Sequence, residues 1–121
     1  MKNEKQIVKD CLFCNIVKGN IPSNKISESD FAYAFSDINP QAPIHALVIP
    51  KIHIPSAADL DETNINFFGE MALLANDVLK KIDTDGKGFR WVLNNGDNGG
   101  QTVDHIHLHL LAGRKLIWPP G

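Results

Sequence analysis

Apolar and polar residues alternate strictly in one stretch of the chain, His105-Ile106-His107-Leu108-His109-Leu110-Leu111. Period two is the mark of a strand: it puts His105, His107 and His109 on one face and turns Ile106, Leu108 and Leu110 toward a core. Neighbouring imidazoles then start about 6.5 Å apart, two residues of strand rise. A helix would scatter the rings around its circumference, so the strand is preferred. Elsewhere the pattern changes with position. Phe13, Ile16 and Val17 fall at i, i+3 and i+4, which predicts a short helix closed by Gly19. Lys25–Glu28 reads as a short strand, and Phe31, Tyr33 and Phe35 alternate in a second. A rigid loop with two prolines, 36–43, leads into a buried-looking strand over His45–Pro50. From Ile65 to Ile82 apolar residues recur every three or four positions, predicting one long helix over 61–82. A turn over 83–88, a strand over Phe89–Leu93 and a glycine-rich hairpin loop over Asn94–Gln101 precede the histidine strand, which Gly113 ends. Strands come in runs and do not alternate with helices. The expected class is therefore α+β, an antiparallel meander sheet with one long helix and a short N-terminal helix.

Bulk properties narrow the function. The 121 residues suit a charged lead-in over 1–10 and one domain over 11–121. The net charge is −2 and no basic run appears, so nucleic acid is not an expected partner. No apolar run approaches membrane-spanning length, and the polar start Met1-Lys2-Asn3-Glu4 does not resemble a secretory signal. A cytoplasmic address is the expectation. In that setting Cys11-x-x-Cys14 reads as a metal or redox pair, not as a structural disulfide.

The candidate chemistry gathers around the histidines. Grouped imidazoles read as catalytic or metal-binding. His107, in the middle, can attack phosphorus through a lone-pair nitrogen and form a phospho-imidazole that water later breaks, provided its other nitrogen donates to a fixed acceptor. His109 and His45 would contact phosphoryl oxygens or assist the leaving group, although His45 also suits a strand-end residue without a role. The amides of Gly100, Gln101 and Thr102, with the Thr102 hydroxyl, can form an anion nest; a plain hairpin turn is the rival. No lysine follows these glycines, so the loop is not a P-loop for a triphosphate. Asp37, ahead of the proline loop, can accept a sugar diol or simply cap its turn. Zinc on Cys11 and Cys14 needs two further ligands, and His53 and His105 are spare if His107 and His109 do chemistry. A redox dithiol is the alternative, but the residue immediately before Cys11 is the acidic Asp10.

Taken together, the chain resembles the histidine triad family of nucleotide-binding proteins, closest to its nucleoside phosphoramidase branch. The resemblance runs from Cys11 to Gly121. It rests on His105-x-His107-x-His109-Leu110-Leu111, on Asp37-Ile38-Asn39-Pro40-Gln41-Ala42-Pro43, on His45-Ala46-Leu47-Val48-Ile49-Pro50-Lys51, and on the ending Trp118-Pro119-Pro120-Gly121. It implies the HIT-like fold and a homodimer with one sheet continued across the interface. It implies hydrolysis of the P–N bond of purine nucleoside 5′-phosphoramidates through a nucleotidyl-histidine on His107, with His109 and His45 beside it. Asp37 and Ile38 would meet the ribose, and Leu12, Phe13 and Ile16 the base. Asn94, Gly100, Gln101 and Thr102 would bind the phosphate side, and Trp118 would reach the partner's site. Thr102 departs from the serine of many relatives, and its methyl group would crowd the leaving group. The cysteine pair, absent from some relatives, implies structural zinc on Cys11, Cys14, His53 and His105. Two rivals stand beside the phosphoramidase: an AMP-sensing module acting through a protein partner, and a metal hydrolase in which the histidine row chelates a catalytic zinc.

Overall fold

The computed structural model describes residues 8–82 and 85–121. The expected lead-in over 1–10 and the start of the 83–88 turn lie largely outside the described residues. Eight elements organise the site: α1 (Leu12–Lys18), β1 (Lys25–Glu28), β2 (Ala32–Ser36), β3 (Ile44–Pro50), α2 (Ile65–Ile82), β4 (Phe89–Val92), the one-turn α3 (Gly96–Gly99) and β5 (Leu108–Ala112). The five strands form one antiparallel sheet in the order β1-β2-β3-β5-β4. The α+β class expected from sequence is what forms. The meander runs through β1, β2 and β3; α2 then carries the chain to the far edge, and β5 returns between β3 and β4.

Side chains sort by the pleat. Ala32, Ala34, Ala46, Val48, Leu108, Leu110 and Ala112 turn toward α2, joined there by Ile106, and meet Met71, Leu74, Ala75, Val78 and Leu79. Four alanines on the sheet side let the helix sit close to it. Tyr33, Phe35, Leu47 and Ile49 turn the other way and pack on Phe13, Cys14 and Ile16 of α1. Phe13 meets Phe35 edge-on with centroids 5.6 Å apart. Burying an aliphatic side chain such as Leu108 or Leu110 stabilises the fold by about 1.5–3 kcal/mol. The sheet thus has an aliphatic face under α2 and an aromatic and imidazole face under α1.

Two boundaries differ from the sequence pattern. Helix α2 starts at Ile65, not 61, because Asp61 caps a turn: its Oδ1 accepts from the Thr63 amide and hydroxyl at 2.8 and 2.6 Å. The histidine strand pairs only from Leu108 onward, so His105 and His107 lie in the lead-in before it. Val48 is opposite Leu108, so continued pairing would bring Ile106 opposite Pro50. Proline has no amide proton to give the ladder. The Ile106 amide instead donates to the Ile54 carbonyl at 2.7 Å. The alternation survives: Ile106 stays under α2 and His105 and His107 stay on the α1 side.

Candidate functional site

Helix α1 brings the first centre together. Its N-cap is Cys11, whose sulfur accepts from the Cys14 amide at 3.4 Å, and Gly19 closes it at φ +83°. The cap holds both sulfurs toward the sheet. Cys11 Sγ lies 3.3 Å and Cys14 Sγ 3.5 Å from His105 Nδ1, and Cys14 Sγ lies 3.4 Å from His53 Nδ1. All four donor atoms fall within 4.8 Å of one another. The S–N edge of a tetrahedron with Zn–S of about 2.3 Å and Zn–N of about 2.0 Å is close to these separations. The proton positions agree. His105 Nε2 lies 3.0 Å from the Pro50 carbonyl, which only accepts, so Nε2 carries the proton and Nδ1 offers its lone pair to the sulfurs. Burial holds His105 down to about 4 and pushes the Cys14 thiol up to about 11. The imidazole is therefore a ready neutral ligand, whereas the thiol needs a cation to become a thiolate. The donor set fits a structural zinc ion.

The second centre follows along the same chain. His107 Nδ1 lies 2.8 Å from the His105 carbonyl, so this nitrogen is the donor and Nε2 keeps the lone pair. That Nε2 makes no hydrogen bond among the described residues. The ring is 4% exposed, flanked by Phe13 edge-on at 5.1 Å and by His109 at 5.1 Å between centroids. It lies at the floor of the histidine face, not in an open row. A buried polar atom left unpaired calls for an explanation, and a catalytic role is one.

His45 is the second residue of β3 and His109 lies in β5, and their rings meet across the sheet at 2.9 Å between His45 Nε2 and His109 Nδ1. The Gln41 amide donates to His45 Nδ1 at 3.0 Å, so neutral His45 carries its proton on Nε2 and aims it at His109. His109 then presents its own proton at Nε2. Asp37 stands beside the pair, with Oδ2 3.4 Å from His45 Nε2 and Oδ1 accepting from the Asn39 amide at 2.8 Å. Asp37, His45 and His109 have metal-like spacing. A chelate would need the Nε2 lone pair of His45, which would put a proton on Nδ1 against the Gln41 N–H. The arrangement is a hydrogen-bond chain. Burial lowers the pKa of His45, and of His109 to about 4, the latter assisted by neighbouring His107 and His45.

The glycine loop differs from an open anion nest. Its turn of helix α3 closes on itself: the Gly100 amide donates to Asp97 and the Gln101 amide to the Gly96 carbonyl, both at 3.0 Å. The Gln101 side chain staples the loop, donating to the Pro55 and Val103 carbonyls at 2.7 and 2.9 Å and accepting from the Gly96 amide. The physical reason is Gly100 at φ +82°, which ends the turn with its amide pointing back into it. Thr102, exposed, makes no hydrogen bond among the described residues, so its hydroxyl is left free. Asn94, half-buried, precedes the turn.

Of the residues expected at the base, Phe13 and Ile16 are core residues and Leu12 is exposed. Ile38 is 96% and Trp118 81% exposed, without an apolar covering in the single chain. Arg90 holds the C-terminal segment by donating to the Ile117 carbonyl at 3.0 Å. A broad apolar groove lined by Phe31, Ile65, Phe67, Phe68 and Leu73 lies elsewhere and contains no histidine or cysteine. Sequence reasoning did not find the Gln41 amide or the Pro50 carbonyl. Backbone groups carry no residue-type signal, and only the proline loop hinted that the 39–43 peptides were fixed.

A five-stranded α+β sheet with a histidine row on one face defines the class, and comparison with known proteins places the chain within it. A model of the HIT domain matches residues 18–116. A 14 kDa zinc-binding protein of Zea mays is 43% identical over 112 residues, covering 91% of this chain and 87% of that protein. Among solved structures, a HIT family hydrolase from Legionella pneumophila is 42% identical with a TM-score of 0.88, covering 93% of this chain and all of that one. A histidine triad protein from Clostridium difficile is 43% identical with a TM-score of 0.86, covering 91% of this chain and 96% of that one. The chain belongs to the HIT domain family.

Proposed function

We propose that this chain is a nucleotide-binding hydrolase that cleaves the P–N bond of purine nucleoside 5′-phosphoramidates and releases the nucleoside monophosphate. One observation carries the reading: the buried, unpartnered Nε2 of His107, with its lone pair fixed by the His105 carbonyl. Its Nε2 attacks phosphorus and forms a P–N bond to the ring, while the bond to the leaving amine breaks. The amine departs with a proton from His109 Nε2, the end of the His45–His109 chain. Water then attacks phosphorus, the bond to His107 breaks, and the proton returns. Thr102 supplies a free hydroxyl to the phosphate side, with Asn94, Gly100 and Gln101 shaping its wall. Asp37 and Ile38 take the ribose. Leu12 meets the base above Phe13 and Ile16, and the exposed Trp118 reaches the site of a partner subunit.

Zinc on Cys11, Cys14, His53 and His105 ties α1 to the histidine segment and supplies a cross-link, not the chemistry. The homodimer is supported by the unpaired outer edge of β4, which carries the exposed aromatics Phe89 and Trp91. A cytoplasmic address suits two cysteines that are not joined in a disulfide. No helix among the described residues is long and apolar enough to cross a membrane.

The test is capture of a labelled nucleotide. Adenosine 5′-phosphoramidate labelled on phosphorus should turn over, and acid-quenched protein should carry the label on His107 by mass spectrometry. His107→Ala should lose both. A label on another residue, or nucleotide binding without turnover, sinks this reading; the second outcome favours the sensing module.

A further inference from the structure

The acid in this site presents a problem that the hydrogen bonds themselves expose. Neutral His109 can give up its Nε2 proton only by becoming an imidazolate, which is far too basic to form. The working acid is the His45–His109 pair with one extra proton. That proton must enter at His109 Nδ1, which faces the His45 Nε2–H at 2.9 Å. Two donors cannot point at each other there. His45 cannot move its proton to Nδ1, because that atom accepts from the Gln41 amide at 3.0 Å. The remaining acceptor is Asp37 Oδ2, 3.4 Å from His45 Nε2. Its carboxylate is already turned to that position, since Oδ1 is held by the Asn39 amide at 2.8 Å and the Asp37 amide by the His45 carbonyl at 3.0 Å.

We propose that Asp37 is a positioning residue for the proton donor as well as a ligand for the sugar: it receives the His45 Nε2–H when the pair takes up its proton, and the sugar diol, by gripping the same carboxylate, holds it in place for this. The inference rests on the phosphoramidase reading and deepens it. A carboxylate has room for both tasks, with about four lone-pair sites on two oxygens. The titratable groups facing the pair are His107, whose ring centroid lies 5.1 Å from that of His109, and Asp37 itself. Asp37 is the charge that favours protonation of His45, His107 and His109 alike. Recognition of the sugar therefore appears in the chemical step, not only in binding.

The experiment is a cycle between protein and substrate. Wild type and Asp37→Asn are each assayed with adenosine 5′-phosphoramidate and with its 2′,3′-dideoxy analogue, kcat and KM being separated. Loss of a positioned acid lowers kcat by about tenfold or more. That loss is expected in Asp37→Asn with both substrates, and removing the diol should lower kcat in the wild type but not in the variant. If Asp37→Asn and wild type share one kcat on the dideoxy analogue, Asp37 touches only the sugar and the proposal falls. A second arm needs no substrate. Nitrogen-15 NMR of the ligand-free protein should show His109 in Asp37→Asn titrating at lower pH than in wild type, with His45 keeping its Nε2–H tautomer. Identical titrations would overturn the proposal. Should the wild type turn over neither substrate, the phosphoramidase reading fails, and the NMR arm alone decides the role of Asp37.

Discussion

Each imidazole has two nitrogens, and at three rings the backbone has settled which one carries the proton. The Pro50 carbonyl fixes His105, the His105 carbonyl fixes His107, and the Gln41 amide fixes His45. His109 inherits its tautomer from His45. One consequence is acid sensitivity. The folded His109 is held near 4, whereas the unfolded side chain titrates near 6.5. Between those values the unfolded state binds the proton and the folded state does not, so stability falls as pH drops from about 6.5 toward 4 and is insensitive to this group above 6.5. Urea midpoints taken across that window should decline with acidification, and His109→Gln should flatten the slope. The row of three histidines was legible in the sequence because alternation alone places the rings on one face. Their roles were less so. The acceptor for His105 lies 55 residues away, and no residue type announces which carbonyl will meet which nitrogen.

Elements position these residues by close packing, and two contacts show how little slack they have. Gly113, which ends β5, has φ +92°, and a β-carbon there would come within 2.9 Å of the Pro43 side chain. Gly113→Ala should destabilise the protein by about 1–3 kcal/mol, read from urea unfolding. It should also loosen the loop that presents the Gln41 amide, whose carbonyl is held by Arg114 Nη2 at 2.9 Å. On the opposite face, Ala46 is fully buried beneath α2. Ala46→Leu overpacks that contact and should cost about 1–3 kcal/mol. Helices α1 and α2 and all five strands were readable from the apolar pattern, most of them from a repeat of 3.6 or 2 residues, whereas the one-turn α3 lay inside the expected hairpin loop. The order of the last two strands was not. Whether β5 joins β3 or lies outside β4 depends on where α2 leaves the chain, and that is tertiary. The state of the glycine loop was not decided by its residues either: Asn94–Gln101 has a composition equally suited to a cradle and to a self-closed turn, and the closed turn engages the Gly100 and Gln101 amides.

Across the whole molecule, the zinc ligands join parts that local pairing leaves apart: α1, the loop holding His53 and the segment before β5. Removing the metal with a chelator should lower the melting temperature before it touches turnover at permissive temperature, whereas a catalytic metal would take turnover first. Cys14→Ser should reduce bound zinc and lower the melting temperature in the same sense. Because the Cys14 thiol is pushed up to about 11, binding must release a proton. Zinc affinity should therefore weaken as pH falls, as measured by competition with a chromogenic chelator.

The two faces of the sheet also bear on how the chain avoids error. Moving β5 by a single residue against β3 would exchange the sides of His109 and Leu110, thrusting a polar ring into the aliphatic layer beneath α2 and stranding a leucine among the imidazoles. A mispaired molecule would thus lose its packing and its reactive row in one stroke. Proofreading of the strand alignment comes built into the same alternation that arms the site.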